Sequence, residues 1–151
     1  MLARITAAAL PSRHDEVNTR VWGRAALWLP GAHDLAGTFA GGSGPNGFAT
    51  VIAAAGTSGV AEEGIPGAAF EQWLADRARP IRGTARDADP GVVLVWVEDD
   101  EAAHAAVTIG GGWVLNKPTP QWFTPRTVSR VVDVVAAARR PGSRLRRFSL
   151  R

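Results

Sequence analysis

Gly91-Val92-Val93-Leu94-Val95-Trp96-Val97-Glu98-Asp99-Asp100-Glu101-Ala102-Ala103-His104-Ala105-Ala106-Val107-Thr108-Ile109-Gly110-Gly111-Gly112-Trp113-Val114-Leu115-Asn116 decides the fold of this chain. Residues 91 to 97 are a continuous, largely β-branched apolar run, the pattern of a strand buried on both faces. The acidic run Glu98 to Glu101 reads as a solvated hairpin turn, with a hard-cation site as the lesser reading. Residues 102 to 109 and 113 to 117 then form a second hairpin around three glycines. A three-glycine loop pairs Ile109 with Trp113. Ala106 then faces Asn116, and His104 lies on the same face, two positions away on the diagonal.

The chain upstream of this stretch is helical in pattern. Residues 15 to 29 place Val17, Val21, Ala25 and Trp28 on one stripe, with Ser12 as a candidate cap, Asp15 and Glu16 in the first turn, and Pro30-Gly31 as the stop. Residues 30 to 47 form a long glycine-rich loop, a length that in a small domain points to function. Residues 47 to 55 are small and apolar, the mark of a buried helix. Residues 68 to 78 form a short amphipathic helix with Phe70, Trp73 and Leu74 inward. Residues 79 to 90 read as a polar linker. Residues 127 to 138 fit helix or strand, and 144 to 150 alternate enough for a closing edge strand. Helices precede antiparallel strands, so the predicted class is α+β, with N-terminal helices packed on one side of a small antiparallel sheet or half-barrel.

Composition bounds the rest. At 151 residues, 46% of them apolar and with six Trp and five Phe, the chain can bury the core of one domain spanning residues 1 to 151. The absence of Cys excludes disulfides and thiolate metal sites. The start, residues 1 to 11, is too short to span a bilayer and too weakly apolar for an export signal. No other stretch is long and apolar enough to cross a membrane, so a cytoplasmic location and no membrane partner are expected. The net charge of +3 is uneven, because six Arg and no acid lie in residues 139 to 151. The rest of the domain is therefore slightly acidic, and the basic tail reads as a solvated end or as a contact for a phosphate-bearing partner. Stacking aromatics are not interleaved with these arginines, Phe148 apart, so no nucleic-acid partner is expected.

The chemistry rests on three positions. Ser43-Gly44-Pro45-Asn46-Gly47-Phe48-Ala49-Thr50-Val51-Ile52 is a tight loop running into a buried helix. A helix N-terminus offers unpaired amides and a partial positive charge. A thiol placed at position 47 would ionise easily there, and the neighbouring amides could hold an oxyanion. Asn116 can fix one ring nitrogen of His104 and leave the other as a base. Taken singly, a strand histidine, a pre-proline Asn and a loop glycine are ordinary structural residues; the combination carries the reading. Ser43 and Asn46 are the side chains nearest the helix start. Phe48 follows the nucleophile position. Trp113, Lys117 and Trp122 follow the base strand as candidate cleft residues, with Lys117 placed to meet a substrate carboxylate and Phe123 beside Trp122 as a wall. His33-Asp34 in the long loop is a further candidate pair, too small to be a metal site.

Gly44-Pro45-Asn46-Gly47-Phe48-Ala49-Thr50 resembles the nucleophile motif of NlpC-type papain-like cysteine peptidases and amidases, in which Asn or Asp precedes a Cys at the helix start. His104 through Trp113 is similar to the base strand of that family, and Asn116 falls where the family places its third polar residue. The match covers roughly residues 40 to 120. The chain also resembles small actinobacterial proteins with a Gly-Gly-Ser-Gly-Pro-Asn-Cys-Phe stretch. The resemblance implies a compact papain-like domain that cleaves or transfers at an amide bond of a peptide, small amide or γ-glutamyl substrate, with no metal or organic cofactor. It also implies that Gly47 stands where the nucleophile belongs. That replacement is either an engineered inactivation or a natural change that leaves a non-catalytic binding module.

Overall fold

The computed structural model describes residues 11 to 151; the weakly apolar start, residues 1 to 10, lies outside the described residues. The described chain folds as α+β. Five α-helices accompany one six-stranded, wholly antiparallel sheet. In chain order the elements are α1 (Thr19–Ala25), α2 (Ala32–Leu35), α3 (Gly47–Ala54), α4 (Gly67–Arg77), β1 (Ala78–Ile81), β2 (Pro90–Glu98), β3 (Glu101–Gly110), β4 (Trp113–Asn116), β5 (Thr127–Arg130), α5 (Val131–Ala137) and β6 (Ser143–Leu150). The strand order is β1-β6-β2-β3-β4-β5. No described helix is long and apolar enough to cross a membrane.

The centre of the sheet is the quoted stretch. In β2, Val93, Val95 and Val97 face the layer of α1, α3 and α4, while Val92, Leu94 and Trp96 face the opposite side. Both sides are apolar because both are covered. Val131 and Val134 of α5 pack on the second face, so the helices are not confined to one side as the sequence order suggests. The β2–β3 turn is a two-residue hairpin at Asp99-Asp100, both at positive φ (50° and 62°), a conformation that Asp tolerates better than most residues. The β3–β4 register pairs Val107 with Leu115 and Thr108 with Val114, the alignment expected from the three-glycine loop. At the loop itself the register slips, so that Gly110 rather than Ile109 pairs with Trp113.

Four expectations need correction. The helix over residues 15 to 29 is interrupted: residues 14 to 16 form a 3-10 turn, and α1 starts only at Thr19. Asn18 is the cap, because its side chain accepts the Val21 amide at 2.9 Å while its own backbone stays extended. Ser12 instead accepts the Val128 amide at 3.0 Å and ties the first described residues to β5. Residues 79 to 90 are linker only in part, since Ala78–Ile81 is strand β1. β6 is consequently an inner strand, bonded to β1 on one side and β2 on the other. The basic segment is thus partly structural. Arg147 grips Asp87 through two hydrogen bonds of 2.8 and 2.9 Å, and Arg144 reaches Asp100 at 3.1 Å. Residues 127 to 138 resolve as both alternatives in turn, β5 and then α5.

One feature of the sheet positions the site. β4 pairs with β3 only from Val107 onward, so the first half of β3 has no strand on that side. α4 covers part of the gap. Glu71 accepts the Ala102 amide at 2.7 Å, and Gly67 sits so close that a Cβ there would lie 2.6 Å from the Ala102 carbonyl oxygen. α3 covers the rest, with Gly47 against Ala105 in the same manner. Shortening β4's buried anchor tests how firmly this edge is set. Leu115 is fully buried in the helix-facing core. Leu115→Ala is expected to lower unfolding free energy by about 2–5 kcal/mol, read as a shifted urea midpoint.

Candidate functional site

α3 begins at Gly47 because Asn46 caps it. The Asn46 side chain accepts the Ala49 amide at 3.1 Å and donates to the Ile65 carbonyl at 2.8 Å. It therefore lines the cleft with both ends of its amide committed, and its role is to fix the helix start. The amides of Gly47 and Phe48 make no hydrogen bond among the described residues, and they lie at the positive end of a helix. Seven of the eight helix residues are buried, and Phe48 stacks on Phe70 with ring centroids 4.6 Å apart. Burying each large side chain here contributes roughly 1.5–3 kcal/mol, which fixes the direction of the helix tip.

His104 faces that tip. Its Nε2 lies 2.7 Å from Asn116 Oδ1, the diagonal pair that the hairpin register predicts. With an amide oxygen as acceptor, the neutral imidazole carries its proton on Nε2 and leaves Nδ1 as the base. Nδ1 is the nitrogen turned toward Gly47: a Cβ built there would lie 2.9 Å from it and 2.7 Å from Cε1. The same Cβ would lie 2.6 Å from the Ala105 carbonyl oxygen. Contacts this short require the neighbours to move, so the glycine is closely fitted. Trp96 flanks the ring, with centroids 5.3 Å apart. Burial pushes the His104 pKa below its ordinary value; the Asn116 hydrogen bond works in the opposite direction, and the Arg140 guanidinium adds to the depression. The imidazole is therefore neutral near pH 7.

Gly47, His104 and Asn116 line one groove of about 800 Å³. Asn46, Phe48, Lys117 and Phe123 also line it, and so do Trp96, Glu98, Arg140 and Ser143 from β2 and the entry to β6. Trp96 was readable only as core, and Arg140 only as part of a charge run. Their alignment with the groove depends on β6 docking beside β2, which no local pattern announces.

Other candidates fall elsewhere. Trp113 is buried in the helix-facing core under the guanidinium groups of Arg130 and Arg13, 4.0 and 5.0 Å from the ring centroid. It does not reach the groove. Lys117 lines the groove but its ammonium does not serve a ligand: Nζ donates to the carbonyls of Thr119 and Gln121 at 2.7 and 3.0 Å, and the residue has no exposed surface. Burial, with Arg126 nearby, lowers its pKa to about 8. Ser43 accepts the Trp122 amide at 3.3 Å, and the Gly44 amide donates to the Pro120 carbonyl at 2.9 Å. The loop before α3 is thus pinned to the loop after β4. Trp122 is exposed and meets Phe123 edge-on at 5.8 Å; Phe123, not Trp122, supplies the apolar wall. His33 stacks on Trp22 at 4.5 Å in α2, and neither it nor Asp34 lines the groove. No group of three or more His, Asp or Glu able to hold a metal ion occurs among the described residues.

No protein-family model, no curated protein and no solved structure matches this chain.

The depressed His104 pKa gives a signed expectation. A histidine held neutral in the fold binds its proton more readily when unfolded. Its contribution is fully favourable above the unfolded value of about 6.5 and is lost as pH falls below it. Stability is expected to decline on acidification from pH 7 to 5, and His104→Gln should flatten that decline, read by thermal melts across the range. In the native protein, ring NMR titration should give His104 a pKa below 6.5, and Asn116→Ala should lower it further.

Proposed function

We propose that this chain is a papain-like, NlpC-type scaffold for thiol-dependent hydrolysis or transfer at an amide bond, with Gly47 in the nucleophile position. The observation that carries the reading is the imidazole of His104, oriented by Asn116, presenting Nδ1 to the first residue of a buried, well-capped helix. With Cys at position 47, Nδ1 would take the thiol proton and the thiolate would attack the amide carbonyl. The free amides at the helix start would stabilise the oxyanion, and the imidazolium would return its proton to the leaving amine as the C–N bond breaks. Water or a second amine would then release the acyl group from sulfur.

As it stands the chain has no nucleophile, and losing one costs several orders of magnitude in rate. The close fit of Gly47 favours the second reading, a natural module that binds an amide ligand in the groove without cleaving it. The Ala105 carbonyl belongs to a strand and cannot turn aside as a side chain would.

Both readings are tested by Gly47→Cys. Its thiol is expected to react with iodoacetamide at pH 7 about ten-fold faster than an ordinary exposed thiol, and His104→Ala in the same background should remove the acceleration. Ordinary alkylation that ignores His104 would refute the catalytic geometry. Gly47→Ala isolates the steric cost, expected at about 1–3 kcal/mol of stability by denaturant unfolding. A cost near zero would refute the close fit and favour the inactivated-enzyme reading.

A further inference from the structure

The groove's polar groups are unequal in their commitments. Lys117 is spent on two backbone carbonyls, Asn46 on the helix cap, and Asn116 on His104. Arg140 is different. Its guanidinium makes no hydrogen bond among the described residues, and its nearest carboxylate, Glu98, stands off at 3.6 Å. Both side chains keep about two-fifths of their surface exposed, 40% and 39%, so water and ligands reach them. By contrast, Arg147, Arg144, Arg126 and Arg130 all hold partners. A guanidinium carries five donors in a planar fork that suits a carboxylate.

We propose that Arg140 anchors a carboxylate subsite, so that the ligand of this groove is an amide that also bears a carboxylate. The assignment rests on the amide-binding reading of the Gly47–His104 end. Glu98 then acts as an internal competitor: it holds the guanidinium loosely when the subsite is empty and yields to a ligand carboxylate. Phe123 and Trp96 supply the apolar sides against which the connecting carbons lie. Arg140 and His104 line the same groove, which places the subsite within reach of the reacting end.

The test uses the full native chain and two probes that differ only in charge at one end. Glutaramate carries an amide and a carboxylate; glutaramide carries two amides. Binding is followed by calorimetry and by the ring resonances of His104. Glutaramate is expected to bind about ten-fold tighter than glutaramide, and Arg140→Gln should bring the two within about two-fold. Glu98→Gln, which frees the guanidinium, should tighten glutaramate and leave glutaramide unchanged. That gain would not arise if the 98–140 pair served stability alone. Equal affinities, a preference that survives Arg140→Gln, weaker glutaramate binding in Glu98→Gln, or no binding of either probe at millimolar concentration would each overturn the subsite. These outcomes are separate from the alkylation of Gly47→Cys. A thiol that His104 activates in a groove indifferent to charge keeps the catalytic geometry and removes only the carboxylate. A carboxylate preference with an ordinary thiol does the reverse.

Discussion

The shortness of β4 governs the molecule. Because β4 ends at Asn116, the first half of β3 has β2 on one side and no strand on the other, and its backbone groups on that open side must be covered by something else. Two helices cover that side. Glu71 takes the Ala102 amide, and Gly67 and Gly47 close on the carbonyls of Ala102 and Ala105. A full-length β4 would satisfy the same groups and leave no groove. The positive end of α3 is thereby directed at a histidine on the exposed half of β3, and the last residue of β4 is left beside that ring to orient it. The site is the sheet's missing half-strand, filled by helix termini.

This arrangement explains which parts of the site were legible. The His104–Asn116 bond follows from local chemistry: three glycines set the register, strand alternation sets the face, and both are properties of neighbouring residues. Parity also explains the error over Trp113. It is three residues from Asn116 in one strand, so the two must point to opposite faces, and Trp113 belongs to the helix-facing core. The closeness of Gly47 to His104 joins segments 57 positions apart in the chain; no periodicity encodes it, and only a resemblance to other proteins suggested it. β1 and the inner place of β6 were hidden by polar composition. Arg79, Pro80 and the alternating arginines of β6 look solvated, and their pairing depends on Asp87 and on the backbone of β2.

The groove's charge has a structural half and a functional half. Lys117 and Arg126 are buried cations that organise loops. Lys117 gathers the carbonyls after β4, while Arg126 donates to Thr38 and to the Ala61 carbonyl and lies 3.5 Å from Glu62. Glu62 in turn accepts the Gly41 amide at 2.9 Å. The glycine-rich segment before α3, expected as a loop over residues 30 to 47, opens with the short helix α2, and its remainder is held by ionic and backbone contacts. Desolvating two cations near each other is expensive and lowers the Lys117 pKa to about 8. Of the two, Lys117 lies in the lining of the groove. Arg140 carries no such duty, which distinguishes a recognition charge from a scaffolding one.

Gly47 admits two descriptions, and the geometry weighs them. As a missing nucleophile it is a hole in a catalytic triad. As a packing residue it is the twin of Gly67: both open a helix, and at both a Cβ would lie 2.6 Å from a β3 carbonyl. The twin has no catalytic reading, so close packing alone accounts for a glycine at a helix start on this edge. The His104 ring can rotate away from an added Cβ, but the Ala105 carbonyl moves only with the β2–β3 ladder, which lies at the centre of the sheet. Receiving a thiol therefore demands that α3 shift away from that carbonyl against its cap at Asn46 and its Phe48–Phe70 stack. In this structure the imidazole occupies part of the space that a side chain at position 47 would need.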